Sequence, residues 1–391
     1  MRIARQPGSI IAVSAGMCEP IKRMGLAAVP VCLLLLACFP LDGYAGSDTN
    51  LLPVVLWEAT SRVTTGLGYR KNVQRTSIAP EDSGFFNTSA DASLTRFAES
   101  GAYVMLFVLF DDTQYFNAPS VDYERFISAT LQAARPVGPN DELGAQFNYL
   151  YQHQVVDLSE TETLLKRTLV DGRTYSLRPH WKHSLGDGWA VQVEAEALRQ
   201  FYRGDDISDY WQPAAGARLI RSYGHRSEVS LVGLSKYIGY DSREKFDHDG
   251  MAIHNTELIY RQCEGGVQWR HNFDKERQWR TTSKLSYMSN QDNGSGYFDY
   301  DRFLVSQQLR WKNPLWEIKS TARLGLYDYP EQEVGDERRE RSSVSVDLRI
   351  ERRLGKRWLV YSFAEHEWNR SNDELDEYST WAAGGGAGFE F

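Results

Sequence analysis

Lysines and arginines that keep an even spacing within successive alternating segments of the last third of the chain are the residues best placed to do chemistry. Arg280, Lys284, Arg302, Arg310, Lys319, Arg323 and Arg349 fall on one side of an alternating pattern, with Glu317, Asp347 and Glu351 among them. If these segments are strands, successive side chains point to opposite faces and the charged groups share one face. Lining a pore, such a face favours anions. Paired with their neighbouring carboxylates, the same charges would only stiffen a wall.

Other reactive side chains do not converge on a catalytic pattern. His180-x-x-His183 has no carboxylate nearby in sequence at metal-ligand spacing and lies beside the Gly186-Asp187-Gly188 turn, so it reads as polar surface. Asp247 and His254 share one loop, as an acid/base pair would, but nothing else in the sequence supports catalysis. There is no Gly-x-Ser-x-Gly elbow. Gly384-Gly385-Gly386 is followed by neither a lysine nor a helix, which argues against a phosphate loop and for room against a bulky neighbour. The acidic stretches Asp111-Asp112, Asp205-Asp206, Asp247-x-Asp249-Gly250 and Asn290-x-Asp292-Asn293-Gly294 carry calcium-type oxygen ligands without the full spacing of a calcium loop. The expectation is a protein that is not an enzyme and uses no cofactor or metal.

The elements that position the charged face are strands. Val63, Thr65, Leu67 and Tyr69 alternate with Arg62, Thr64, Gly66 and Gly68, and the same rhythm returns over Leu143–Gln154, Trp189–Ala197 and Val344–Glu351. It predicts sixteen strands, centred near residues 65, 91, 107, 129, 148, 174, 195, 216, 233, 259, 284, 306, 321, 346, 363 and 385. Short turn-like links, such as Gly138-Pro139-Asn140-Asp141 and Gly224-His225, alternate with longer polar links at 73–85, 114–122, 157–166, 203–209, 241–251, 290–297, 328–339 and 369–378. Alternation that persists for nine or more residues, with two ranks of loops, fits a transmembrane barrel better than a sandwich or propeller. Tyr103 to Phe110 departs from the rhythm, being apolar on both faces, and suits a folded-in loop, a greasy solute, a plug or a partner barrel.

Aromatic residues mark the ends of these strands. Trp189, Trp279, Trp316 and Trp358 follow short turns, and Trp181, Tyr223, Trp269 and Trp311 precede them. At the other ends stand Tyr115, Phe116, Tyr151, Phe201, Tyr202, Tyr210, Trp211, Tyr240, Tyr297, Phe298, Tyr327, Tyr329 and Trp368. Two belts at two membrane interfaces are expected.

Composition bounds the alternatives. The 391 residues are 42% hydrophobic and 13% aromatic, too rich for a disordered chain. A formal charge of −8 without a concentrated basic face argues against nucleic acid as a partner. Beyond residue 45 no apolar run approaches the roughly 20 residues of a spanning helix. Lys22 and Arg23, the apolar stretch Gly25–Phe39 and the small residues of Gly43-Tyr44-Ala45 read as a signal peptide over 1–45. Its removal takes Cys18, Cys32 and Cys38 and leaves only Cys263, so an exported chain over 46–391 has no internal disulfide.

Trp381, Ala383, Gly385, Ala387, Phe389 and Phe391 alternate to the last residue. This ending resembles the last-strand signal that Gram-negative outer-membrane barrels present to their assembly machinery. The whole exported chain resembles barrel porins of unassigned function and the sixteen-stranded barrels of exopolysaccharide secretion. The resemblance implies an all-β, single transmembrane antiparallel up-and-down β-barrel of sixteen strands in the outer membrane. Its partners would be outer-membrane lipid and lipopolysaccharide, the barrel-assembly machinery acting on Phe389 and Phe391, and a small hydrophilic solute or a polysaccharide. Three readings follow: a porin-like channel for hydrophilic solutes, anions among them, an export conduit for an exopolysaccharide, and a non-conducting structural or adhesive barrel.

Overall fold

The computed structural model describes residues 56–98, 100–157, 167–204 and 207–391. The expected signal peptide, the Asp205-Asp206 turn and most of the 157–166 link lie outside these residues. The strands are β1 (Leu56–Lys71), β2 (Ser83–Phe97), β3 (Tyr103–Tyr115), β4 (Tyr123–Pro136), β5 (Asp141–Asp157), β6 (Arg167–Gly186), β7 (Trp189–Tyr202), β8 (Tyr210–Tyr223) and β9 (Ser227–Tyr240). After two short strands, β10 (Lys245–Phe246) and β11 (Ala252–Ile253), come β12 (Ile259–Asn272), β13 (Trp279–Asp292), β14 (Tyr300–Lys312), β15 (Trp316–Val334), β16 (Glu337–Arg353), β17 (Trp358–Ser371) and β18 (Tyr378–Glu390). Each long strand pairs antiparallel with its sequence neighbour, and β1 pairs with β18 from Arg62↔Glu390 to Lys71↔Trp381, closing a sixteen-stranded barrel. Strands β10 and β11 form a separate ladder in the link between β9 and β12.

The two ranks of connections fall at opposite rims. Short turns follow β4, β6, β8, β14 and β16, while longer loops follow β1, β7, β9, β13 and β17. Two links differ from the sequence expectation. Most of 328–339 is strand, because β15 continues past a bulge between Tyr329 and Glu333 and turns back through Gly335-Asp336 alone. The link after β9 runs to Leu258, so β12 begins where the sequence rhythm places a strand centre.

The seam between β1 and β18 is built from glycine. Gly384, Gly386 and Gly388 alternate with outward Gly385, Ala387 and Phe389, and they face the same side as Gly66 and Gly68. The Tyr361 hydroxyl lies where a Cβ on Gly66 would stand, and the Phe85 ring occupies that place at Gly68. A Cβ on Gly384 would come 2.6 Å from the Leu67 carbonyl oxygen, and one on Gly386 would overlap the Thr65 carbonyl. The bulky-neighbour reading of the triple glycine therefore holds, with backbone as the tightest neighbour.

Gly386→Ala should strain this seam by roughly 1–3 kcal/mol, the usual range for overpacking. Gly233→Ala is the control, because a Cβ there meets nothing within 4 Å. The thermal midpoint of the heat-modifiable gel band should fall for the first variant and stay unchanged for the second.

Candidate functional site

Register and exposure decide which face is which. On β1, Val63, Leu67 and Tyr69 are exposed, Leu67 by 60%, and their partners Phe86 on β2 and Phe389, Gly385 and Ala383 on β18 share that face. The even-numbered set of β1 points inward. Arg62 proves it, since its Nη1 reaches Glu351 Oε2 on β16 at 3.3 Å across two intervening strands. Arg70 likewise reaches Glu124 on β4 at 3.2 Å and Glu365 on β17 at 3.0 Å, on either side of its own strand. Side chains of strands that are not neighbours in a wall meet only through its interior.

Carried around the ladder, this parity places Arg280 and Lys284 of β13, Arg302 and Arg310 of β14, Glu317, Lys319 and Arg323 of β15, and Asp347, Arg349 and Glu351 of β16 on the interior. Their outward alternates include Trp279, Leu285, Phe303, Leu309, Leu326, Val346 and Leu348, all exposed. Several of the interior charges are paired: Lys284 with Glu264 at 2.8 Å, Arg310 with Glu317 at 2.8 Å, Arg323 with Asp347 at 3.6 Å and Arg349 with Glu351 at 2.6 Å. Glu317 also takes Lys312 at 3.4 Å, so one carboxylate serves two cations. Arg280 and Lys319 have no carboxylate within ion-pair distance among the described residues, and Arg280 Nε is buried without a hydrogen-bond acceptor. Both readings of the basic face are therefore present together. Some charges brace the wall, and a positive excess remains over β13–β15.

The opposite arc is different. On β3, Val104, Leu106, Val108 and Phe110 face outward, paired with Leu94, Ala92 and Ala90 on one side and Ala133, Leu131, Ala129 and Ile127 on the other. Tyr103, Met105, Phe107 and Leu109 face inward, among Ser93, Thr95, Ser128, Thr130 and Gln132. Asp91 and Asp111 flank this apolar stripe, Asp91 paired with Arg62 at 3.0 Å and Asp111 accepting from Asn87 Nδ2 at 3.1 Å.

Aromatic placement follows the same parity, and it corrects one of the two expected belts. At the short-turn rim Trp189, Trp279 and Trp358 are exposed on the outer face, and Trp316 and Trp311 lie on that face half-buried. Trp279 and Trp311 face each other across the ladder with ring centroids 5.9 Å apart, and Arg221 and Arg352 lie over Trp189 and Trp316. At the long-loop rim only part of the set, including Phe201 and Trp211, is outward and exposed. Tyr115, Tyr240, Phe298 and Tyr329 have the inward parity or sit on loops, and they are buried beneath the loops. Tyr115 joins Val73, Phe85, Ala118, Val121 and Val155, while Tyr240 and Phe298 join Ile238, Leu258 and Tyr260. They are packing residues, because an inward aromatic ring near a rim is covered by the loop that crosses it.

The third rim cluster is ionic. Asp376, fully buried in the loop after β17, accepts from Arg339 Nη2 at 2.8 Å and lies 3.9 Å from Arg341 Nε. Asn369 donates to the Asp376 carbonyl at 2.6 Å and accepts from Arg341 Nε at 2.8 Å. Arg339 stacks over Tyr329. This set ties the long β15–β16 hairpin to the neighbouring loop. Removing one member of a buried charge pair commonly costs about 3–5 kcal/mol. Asp376→Ala should accordingly lower the thermal midpoint and open 372–377 to protease, while β1–β18 pairing, read by gel migration, persists.

The remaining sequence candidates have structural partners. His180 and His183 do meet carboxylates, from β5 rather than from their own strand: Glu142 lies 3.9 Å from His180 Nε2 and Asp141 lies 2.9 Å from His183 Nδ1. The two histidines, at opposite parity, face opposite sides of the wall and cannot share an ion. His254 pairs with Glu244 at 3.0 Å, and Asp247 accepts backbone N–H groups of Asp249 and Met251. Asp292 accepts from the backbone of Gly294, Gly296 and Phe298, which shapes the loop between β13 and β14. Cys263 is free and exposed on the outer face of β12.

One rim carboxyl is poised to titrate. Asp299, in the same loop, is pushed up to about 6, first by burial and then by the charges of Asp292, Glu331 and Asp301, against the backbone N–H of Asp292 that it accepts. A folded-state value above the ordinary 3.8 stabilises the loop fully below about pH 4, and this stabilisation is lost as pH rises through about 6. Protease cleavage within 293–299 should increase from about pH 5 to about pH 7.5 in the native chain, and Asp299→Asn should flatten that profile.

No family model matches the chain, and no curated protein matches it. Several solved structures align with most of the chain. An anion-selective porin from Comamonas acidovorans is 11% identical, over 86% of this chain and 100% of the other, with a TM-score of 0.45. OccAB3 from Acinetobacter baumannii is 11% identical over 85% and 100%, with a TM-score of 0.45. OprD from Pseudomonas aeruginosa is 8% identical over 88% and 99%, with a TM-score of 0.42. Likeness at this level bears on neither solute nor selectivity.

Proposed function

We propose that this protein is a porin-like channel of a Gram-negative outer membrane, passing hydrophilic solutes with a preference for anions. The observation that carries the reading is the sorting of side chains by a closed sixteen-stranded ladder, apolar outside and charged inside, with unpaired Arg280 and Lys319 on the basic arc. The shortest barrel strands are 13 residues long, above the roughly 9–11 that a tilted strand needs to cross hydrocarbon. A closed ladder leaves no lipid-facing backbone group unpaired. A barrel of this strand number holds an aqueous bore unless loops or a plug fill it. The outward tryptophans at the short-turn rim suit an interfacial belt, where ring and N–H meet different environments.

Anion preference comes from charges that lack partners, because paired ones present little net field to a passing ion. Salt weakens this preference, since the screening length falls from about 10 Å at 0.1 M to about 3 Å at 1 M. Purified protein in a planar bilayer under a KCl gradient should give a reversal potential on the chloride side, shrinking as total salt rises. The pair Arg280→Glu and Lys319→Glu should move it toward the potassium side. A cation-side potential in the native protein would sink the reading.

A further inference from the structure

We propose that the bore favours organic anions with a flat apolar body, of which an aromatic carboxylate is the simplest. The apolar stripe of β3 would hold the body, and the basic arc would draw the carboxylate. This rests on the channel reading above and narrows it to a solute class.

Two independent placements carry the inference. The first is the stripe itself. Met105, Phe107 and Leu109 point into the barrel from successive inward positions, yet they belong to none of the three buried apolar clusters among the described residues. Those clusters lie at the long-loop rim, whereas Met105 and Phe107 sit on the turn-side half of β3. The neighbours of Met105 and Phe107 on β2 and β4 are Thr95, Ser93, Gln132 and Thr130, and Leu109 lies between Asp91 and Ser128, so the strip is bordered on both sides by polar wall. Apolar area left in water lowers its free energy when a ligand covers it, and a flat ring covers such a strip best.

The second placement is charge. The ladder order sets β13, with Arg280, diametrically across the barrel from β3, and β15, two strands further on, contributes Lys319; these are the two basic groups of the arc without a carboxylate at ion-pair distance among the described residues. Asp111 stands next to the stripe on β3, hydrogen-bonded to Asn87, whereas the charge of Asp91 beside it on β2 is offset by Arg62. A carboxylate is therefore repelled from the strip and attracted to the far wall, which turns an amphiphilic anion ring-first onto Phe107. An apolar cation is oriented the opposite way, with its charge toward Asp111 and its body toward Arg280 and Lys319. A small anion such as acetate uses the basic arc alone.

The test is single-channel recording of the full chain in KCl, with sodium benzoate, sodium acetate or benzylammonium chloride added at equal concentration. Benzoate should reduce the chloride current several-fold more than acetate, and benzylammonium should not match it. Phe107→Ser combined with Leu109→Ser should erase the difference between benzoate and acetate, and Phe107→Leu should retain most of it, with heat-modifiable gel migration confirming that each variant is folded. Equal effects of benzoate and acetate on a conducting native channel would overturn the inference and leave the channel reading standing. An undiminished difference in the double serine variant would overturn it as well. A folded protein that carries no KCl current would overturn both.

Discussion

Every feature of this barrel depends on the backbone satisfying its own hydrogen bonds around a closed ring. An open sheet of these strands would leave the donors and acceptors of β1 and β18 unpaired at its two edges. Pairing them converts a local alternation of residue types into a global separation of inside from outside. The closing seam is also closely packed. Gly384 and Gly386 lie against the carbonyls of Leu67 and Thr65, and Phe85 and Tyr361 lie over the glycines of β1. Bulky interior rings and a side-chain-free strand are two halves of one fit.

Much of this was legible in the residues. Period-two alternation is local, so strand positions and the grouping of Arg280, Lys284, Arg302, Arg310, Lys319, Arg323 and Arg349 on one face could be read directly. Alternation does not say how far a polar segment continues to pair. Pro330, Glu331 and Gln332 interrupt the rhythm of β15, yet pairing resumes at Glu333↔Arg338 beyond them. Nor does an aromatic near a strand end announce its side of the wall. Trp211 and Tyr240 look equivalent in sequence, but one is 45% exposed outside and the other is 8% exposed beneath a loop.

Long-range pairing was the illegible part. Arg62 and Glu351 are 289 positions apart and meet only because the ring closes. The carboxylates beside His180 and His183 come from β5, across the ladder, where no spacing rule for a single segment would find them. Whether a given arginine braces the wall or faces the bore unpaired depends on such contacts. Glu317 illustrates this: by accepting both Arg310 and Lys312, it leaves its neighbour Lys319 without a carboxylate.

The β15–β16 hairpin extends the wall past its bulge and reverses through only Gly335 and Asp336, with Gly335 at a positive φ of 66°. The buried Arg339–Asp376 pair anchors it just below the turn, so the tip projects beyond its last buried contact. That projection makes the tip a natural grafting point for surface display, where a foreign peptide inserted between two anchored strands would extend outward from the rim while the interior stayed as it is.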